Sequence, residues 1–190
     1  IRYYKAFLHA GLLTIEPQTG FVRAWVGGVN FKHFSYDHVR QGTRQVGSTI
    51  KPFVYAAALS CHAVNPCTTF SPGEYCVNMV DANNKVIGKY CPRGDVAKNV
   101  KMGIALSSNP TTVAVMSKMG DFNPANKKGG PFEIEALLRK TEINLNPSDV
   151  VPSMCLGSMD LSLFRLVAAQ CIFPNSGIYN QPTTLSLIHI

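Results

Sequence analysis

A hydroxyl and an amine three residues apart, Ser48 and Lys51, stand at the head of the apolar run Lys51-Pro-Phe-Val-Tyr-Ala-Ala-Ala-Leu59. On a helix, residues three apart share a face, so the Lys51 amine can lie against the Ser48 hydroxyl and take its proton. Serine is a weak nucleophile until a neighbouring base activates it. Pro52 is tolerated in a first helical turn and not in a helix interior, which places the start of the helix close to Ser48. Gly47 permits a tight backbone entry. The nucleophile would then sit at a helix N-terminus, where the macrodipole favours developing negative charge. Val54, Ala57 and Ala58 supply an apolar face to bury the helix. Ser-x-x-Lys by itself reads as an N-capped helix with a solvated lysine; the flanking Gln45, Gly47, Thr49, Pro52 and Phe53 turn the reading towards catalysis.

A second string, Ala105-Leu-Ser-Ser-Asn109, holds Ser107 and Asn109 between two helical segments. A hydroxyl there can relay a proton to a leaving group. An asparagine can bond a lysine amine and a substrate amide at once. The competing reading is a serine cap opening the next helix.

Elements that could position these groups follow from periodicity. Residues 10–15 and 21–26, around Glu16-Pro-Gln-Thr-Gly20, read as a β-hairpin. Residues 62–95, rich in proline, glycine, asparagine and cysteine, read as a long loop. Helical patterns cover 96–107, 111–119, 132–140 and 161–173. His33 and His38 are five apart, which suits no common metal pair, and they read as surface or packing residues.

The 190-residue chain has the length of one domain or most of one, with 46% hydrophobic residues and 15% charged ones; soluble domains average about 25% charged. No run of about 18 apolar residues occurs, so no membrane-spanning helix is expected. No signal peptide and no initiator methionine are visible, which reads as a piece of a longer chain. The net charge of +7 comes from scattered lysines and arginines without aromatic interleaving, which argues against a nucleic-acid site. None of the six cysteines forms a C-x-x-C pair, so a zinc ribbon is not expected. Cys171 reads as a buried thiol. Cys61, Cys67, Cys76 and Cys91 could form disulfides if the domain is extracytoplasmic, in a pairing the sequence does not give.

Ser-x-x-Lys followed by Ser-x-Asn is a paired signature of penicillin-recognising serine enzymes. The chain resembles the transpeptidase domain of class A penicillin-binding proteins, the bifunctional peptidoglycan synthases. The resemblance rests on Thr14-Ile-Glu-Pro-Gln-Thr-Gly20, Ala24-Trp-Val-Gly-Gly28, Arg44 to Leu59, Ala105 to Asn109, Leu156-Gly157 and Asn175-Ser-Gly-Ile-Tyr179, and runs from about Ala10 to about Thr184. Trp25-Val-Gly-Gly28, Tyr36-Asp-His38 and Gln45-Val-Gly-Ser48 look most like members from Bacteroidetes.

The resemblance implies an α/β fold of the β-lactamase and transpeptidase kind, a mixed sheet with a helical subdomain. It implies Ser48 as acylated nucleophile, Lys51 as its general base, and Ser107 and Asn109 as aids to proton transfer and donor positioning. The implied reaction is acyl transfer from D-Ala-D-Ala stem peptides to an amine of a neighbouring stem. No cofactor or metal is implied. The implied partners are peptidoglycan stem peptides and glycan strands derived from lipid II, β-lactam antibiotics, and an N-terminal glycosyltransferase domain, at the periplasmic face of the bacterial inner membrane. Alternatives are a non-catalytic penicillin-binding or sensor module and a serine β-lactamase-like protein.

The family's third motif, Lys-Thr/Ser-Gly on a strand after Gly177-Ile-Tyr179, does not occur in the chain, and Lys127-Lys-Gly-Gly130 lies too early to replace it. Residues 1–184 are thus expected to be a partial domain with an incomplete sheet and no efficient catalysis. Leu185-Ser-Leu-Ile-His-Ile190 coincides with an in-frame translation of a transposase mosaic end, and is expected to be a non-native tail rather than a natural β-strand.

Overall fold

The computed structural model describes residues 8–30, 32–81, 83 and 85–184; the tail 185–190 lies outside them. The chain divides into two compact units. One gathers Thr141–Ile143 with the residues up to Arg44 and from Asp160 onward; the other holds Gln45–Lys140 and Asn144–Met159.

The first unit is built on the expected hairpin. Strands β1 (Leu12–Ile15) and β2 (Val22–Val26) pair antiparallel, Leu12 opposite Val26 and Leu13 opposite Trp25, with a register irregularity between Thr14 and Ile15. Alternation sets their faces: Leu13 is buried and Leu12 exposed. Thr183 bridges Phe21 in parallel, giving a mixed pairing at the edge of the hairpin. Strand β3 (Thr43–Gln45) pairs with β6 (Asp160–Ser162). The Ser162 side chain then accepts from Arg165 N and opens the last helix, α5 (Leu163–Gln170). His38 packs at 5.2 Å against His9 and edge-on at 4.9 Å against Tyr36, and His33 is exposed, consistent with packing and surface roles.

The second unit is helical. A 3-10 turn, Gly47–Ile50, runs into α1 (Lys51–Ser60), so the regular helix starts three residues after Ser48. Phe53, Val54, Tyr55, Ala57 and Ala58 of α1 are buried. This helix packs on α3 (Asn109–Lys118) and α4 (Gly130–Arg139). Helix α3 is buried from Pro110 to Met116, including two threonines whose hydroxyls are satisfied, as burial of a polar group requires. Thr111 Oγ1 accepts from Ala97 N at 2.7 Å, and Thr112 Oγ1 donates to Ser108 O at 2.8 Å. Helix α2 is only Val100–Ala105, shorter than the periodicity of 96–107 suggests, because residues 95–97 are drawn into the loop held by α3.

The segment 62–95 is not all loop. Strands β4 (Val77–Val80) and β5 (Val86–Tyr90) form an antiparallel hairpin, and a Cys76–Cys91 disulfide joins its open end. Cys61 and Cys67 are free and exposed; Cys155 and Cys171 are buried thiols. The α/β class thus stands, with the described strands falling into three two-stranded pairs.

The turn that carries Ser48 is held by a backbone contact between two glycines. Gly47 (φ +54) and Gly157 (φ +82) both adopt the left-handed conformation, which favours glycine. Gly47 N donates to Gly157 O at 3.1 Å and Val46 N to Met159 O at 3.1 Å. A Cβ on residue 157 would fall 2.1 Å from Gly47 O and 2.4 Å from Gly47 N, so no side chain fits there without moving the turn.

Three stability predictions rest on the glycines and on the disulfide. Gly157→Ala should lose about 3 kcal/mol or more in urea unfolding, combining left-handed strain with backbone overlap. Gly73→Ala, whose Cβ would meet nothing within 4 Å, should stay within about 0.5 kcal/mol. Cys76→Ala/Cys91→Ala should cost about 3 kcal/mol through the loop the disulfide closes, and peptide mapping without reductant should recover the 76–91 pair.

Candidate active site

All four residues singled out by the sequence lie in the helical unit. Ser48 is on the 3-10 turn and Lys51 opens α1. Side chains three apart eclipse in 3-10 geometry, so the two share a face as expected. Their burial differs sharply: Ser48 is exposed and Lys51 is 2% exposed. A lysine is almost never fully buried without partners.

Those partners come from the link between α2 and α3. Lys51 Nζ donates to Ser107 O at 2.5 Å, to Ser107 Oγ at 3.0 Å and to Asn109 Oδ1 at 2.6 Å. An ammonium has three donors, and all three are used. Among the described residues none of these bonds goes to Ser48, whose hydroxyl stands at the surface. Ser107 reaches Lys51 twice because it sits at φ +51, in a region that non-glycine residues adopt at a cost. There its carbonyl and its hydroxyl both serve the same amine. The helix cap is the neighbour, Ser108, whose side chain accepts from Thr111 N. The capping alternative therefore applies to Ser108 and not to Ser107.

Burial pushes the Lys51 ammonium below its ordinary value of 10.5, because desolvation disfavours the charged form. The free amine, the form that can accept a proton, thus becomes available at lower pH. Sequence reasoning missed Cys155, a fully buried thiol near enough to Lys51 for each to influence the other's titration. Burial pushes Cys155 up to about 12, against the pull of Lys51, so it remains a neutral thiol. The only signal for it was its place two residues before Gly157, on the 3-10 turn Pro152–Leu156. The only cluster of metal-ligating side chains among the described residues is Glu74, Cys76 and Cys91, and both its cysteines are joined in the disulfide.

The fold agrees with the comparisons with known proteins. The family model of the penicillin binding protein transpeptidase domain matches residues 10–189. The chain belongs to that family, a family of acyl-transfer enzymes. Penicillin-binding protein 1A of Rickettsia prowazekii is 30% identical over 188 residues, covering 95% of this chain and 22% of that protein. Its counterpart from Vibrio cholerae is 26% identical over 184 residues, covering 95% and 21%. The chain thus spans about a fifth of these relatives. In structure it resembles penicillin-binding protein 1A from Haemophilus influenzae, with a TM-score of 0.69 at 20% identity over 92% of this chain and 24% of that one. A peptidoglycan glycosyltransferase from Burkholderia ambifaria gives 0.65 at 19% identity, covering 100% of this chain and 60% of that one.

Asn109→Ala leaves one donor of a buried ammonium without its acceptor. It should cost roughly 1.5–3 kcal/mol in urea unfolding near neutral pH, the scale of a hydrogen bond to a charged group. The Lys51 shift also gives stability a pH dependence with a definite sign. Between the folded pKa of Lys51 and 10.5, the unfolded chain holds a proton that the folded chain has released, so the Lys51 contribution makes stability rise with pH across that window. Below the window the burial penalty is full and constant; above 10.5 it is gone. NMR titration of isotopically methylated lysines should show one amine, lost in Lys51→Met, titrating below the others.

Proposed function

We propose that the chain carries the acyl-transfer site of a peptidoglycan D,D-transpeptidase, with Ser48 as nucleophile. The observation that supports this most is the buried Lys51 amine, held by Ser107 and Asn109 on the face it shares with exposed Ser48. In this reading Ser48 Oγ attacks the carbonyl of the penultimate D-alanine of a stem pentapeptide, and its proton passes to the free amine of Lys51. The Ser48 N–H, at the start of the 3-10 turn, donates to the oxyanion; such donors supply a large part of the rate in acyl transfer. As the tetrahedral intermediate collapses, the bond to the terminal D-alanine breaks. Ser107 Oγ, 3.0 Å from Lys51 Nζ, hands a proton to the departing amine and is reprotonated by Lys51. An amine of a second stem then attacks the ester, forming the cross-link and returning the proton to Ser48. Asn109 fixes Lys51 through Oδ1 and keeps its amide N–H groups for a substrate carbonyl.

The natural partners in this proposal are stem peptides on glycan strands derived from lipid II, with β-lactams acylating the same serine and a glycosyltransferase domain elsewhere in the full protein. A periplasmic position fits the Cys76–Cys91 disulfide, since such bonds persist in oxidising compartments. No helix among the described residues is long and apolar enough to cross a membrane.

Prolonged incubation with a fluorescent penicillin, followed by digestion and mass analysis, should find the label on Ser48 and none on Ser48→Ala. Lys51→Met should slow labelling by roughly 10²–10⁴-fold, the scale of general-base catalysis. Label that persists in Ser48→Ala, or a Lys51→Met chain that labels at the parent rate, would refute the assignment.

A further inference from the structure

A groove of about 510 Å³ opens directly beside Ser107 and Asn109, within the usual size range of ligand sites. Its far wall is the segment 93–98, and Leu106, 65% exposed, adds an apolar surface. Two cations, Arg93 and Lys98, line the groove against one acid, Asp95. Neither cation takes part in a salt bridge among the described residues, where the bridges are Arg23–Glu16 and Arg139–Glu135.

The wall that carries them is tied to the catalytic link. Ser108 Oγ donates to Asp95 O at 2.9 Å and contacts Thr111 Oγ1 at 2.8 Å; Thr111 Oγ1 in turn accepts from Ala97 N at 2.7 Å. The Lys98 carbonyl accepts from Phe70 N at 3.1 Å. The residues that cap α3 behind Ser107 therefore also fix the position of 95–98. A cationic wall anchored at Asp95, Ala97 and Lys98 beside an acyl-transfer centre, with an apolar shoulder, is suited to a peptide bearing a carboxylate.

We propose that Arg93 and Lys98 form a subsite that recognises a carboxylate of the peptide substrate away from the reacting carbonyl. The proposal rests on the acyl-transfer reading for the identity of the substrate as a peptide. Its residues lie outside the nucleophile, base and relay, so they would set specificity rather than chemistry. Two sources share this ligand chemistry: the donor stem, which ends in D-Ala-D-Ala, and the acceptor stem, which brings the amine.

The test is fluorescence anisotropy with the full chain and four labelled synthetic stem peptides: donor-type and acceptor-type, each with its side carboxylates free or amidated. At least one carboxylate form should bind more tightly than its amide, and the type that shows the preference names the source. Arg93→Gln/Lys98→Gln should remove about tenfold of affinity for that form and leave its amide unchanged, since each exposed ion pair contributes about threefold. A Lys85→Gln/Lys89→Gln control, on the neighbouring hairpin, should keep the preference. Equal binding of carboxylate and amide, no binding of any peptide, or an equal loss in the hairpin control would overturn the proposal, the last by assigning the effect to the general positive charge. Labelling of Ser48 by penicillin, read on the same preparations, reports separately on the acyl-transfer reading. That reading can fail while the carboxylate preference stands, and the reverse.

Discussion

The buried ammonium of Lys51 is the constraint around which the helical unit is arranged. An unpartnered ammonium in an apolar interior is too costly to keep, so three oxygens must be delivered to one point. Two come from Ser107 and one from Asn109. That delivery requires the break between α2 and α3 to fall where it does and Ser107 to take a left-handed conformation. It also requires α3 to start at once, so that its second serine, Ser108, can cap it. The same arrangement draws residues 95–97 onto Thr111 and Ser108. One buried charge thus dictates a helix boundary, a strained residue, a cap and the course of a loop.

Ser48, the proposed nucleophile, obeys a separate constraint. Ser48 is exposed while the lysine three residues later is buried, although the 3-10 turn at Gly47–Ile50 stacks side chains three apart on one face. The backbone contact with Gly157 holds that turn in place. Gly157 belongs to a segment more than a hundred positions along the chain, so the geometry at Ser48 depends on a long-range contact that no local propensity encodes.

This explains what the sequence disclosed and what it withheld. Periodicity placed α4, α5 and the first hairpin, because each turns one face to the core and has local residues that end it; α3 read as a helix although it is buried on all sides from Pro110 to Met116. Pro52 and Gly47 located the start of α1, since their backbone requirements are local. The pairing of Lys51 with Ser107 and Asn109 was legible only as motif spacing, and its geometry arises from packing of α1 on α3. The hairpin Val77–Tyr90 was hidden, because Met79, Val86, Ile87 and Tyr90 are exposed and blur the alternation a half-buried strand would show. The Cys76–Cys91 bond closes its open end, a pairing that composition cannot choose. Cys155 was missed for the opposite reason: a buried thiol looks like any other small core residue.

The chemistry of the partners matters as much as their number. A carboxylate beside Lys51 would satisfy the ammonium, yet it would also favour the charged form and raise the pKa. Ser107 O, Ser107 Oγ and Asn109 Oδ1 are neutral acceptors. They satisfy the hydrogen bonds of the ammonium without adding a negative charge, so burial remains the leading influence and the pKa falls. Cys155 would act as an anion if ionised, and the same burial prevents that by pushing its thiol up to about 12. The surroundings of Lys51 are therefore polar enough to hold the amine in place and uncharged enough to let its proton go. In the proposed reaction a general base that takes a proton from serine needs both properties together, and here both come from placing an amine among neutral oxygens inside a packed helical core.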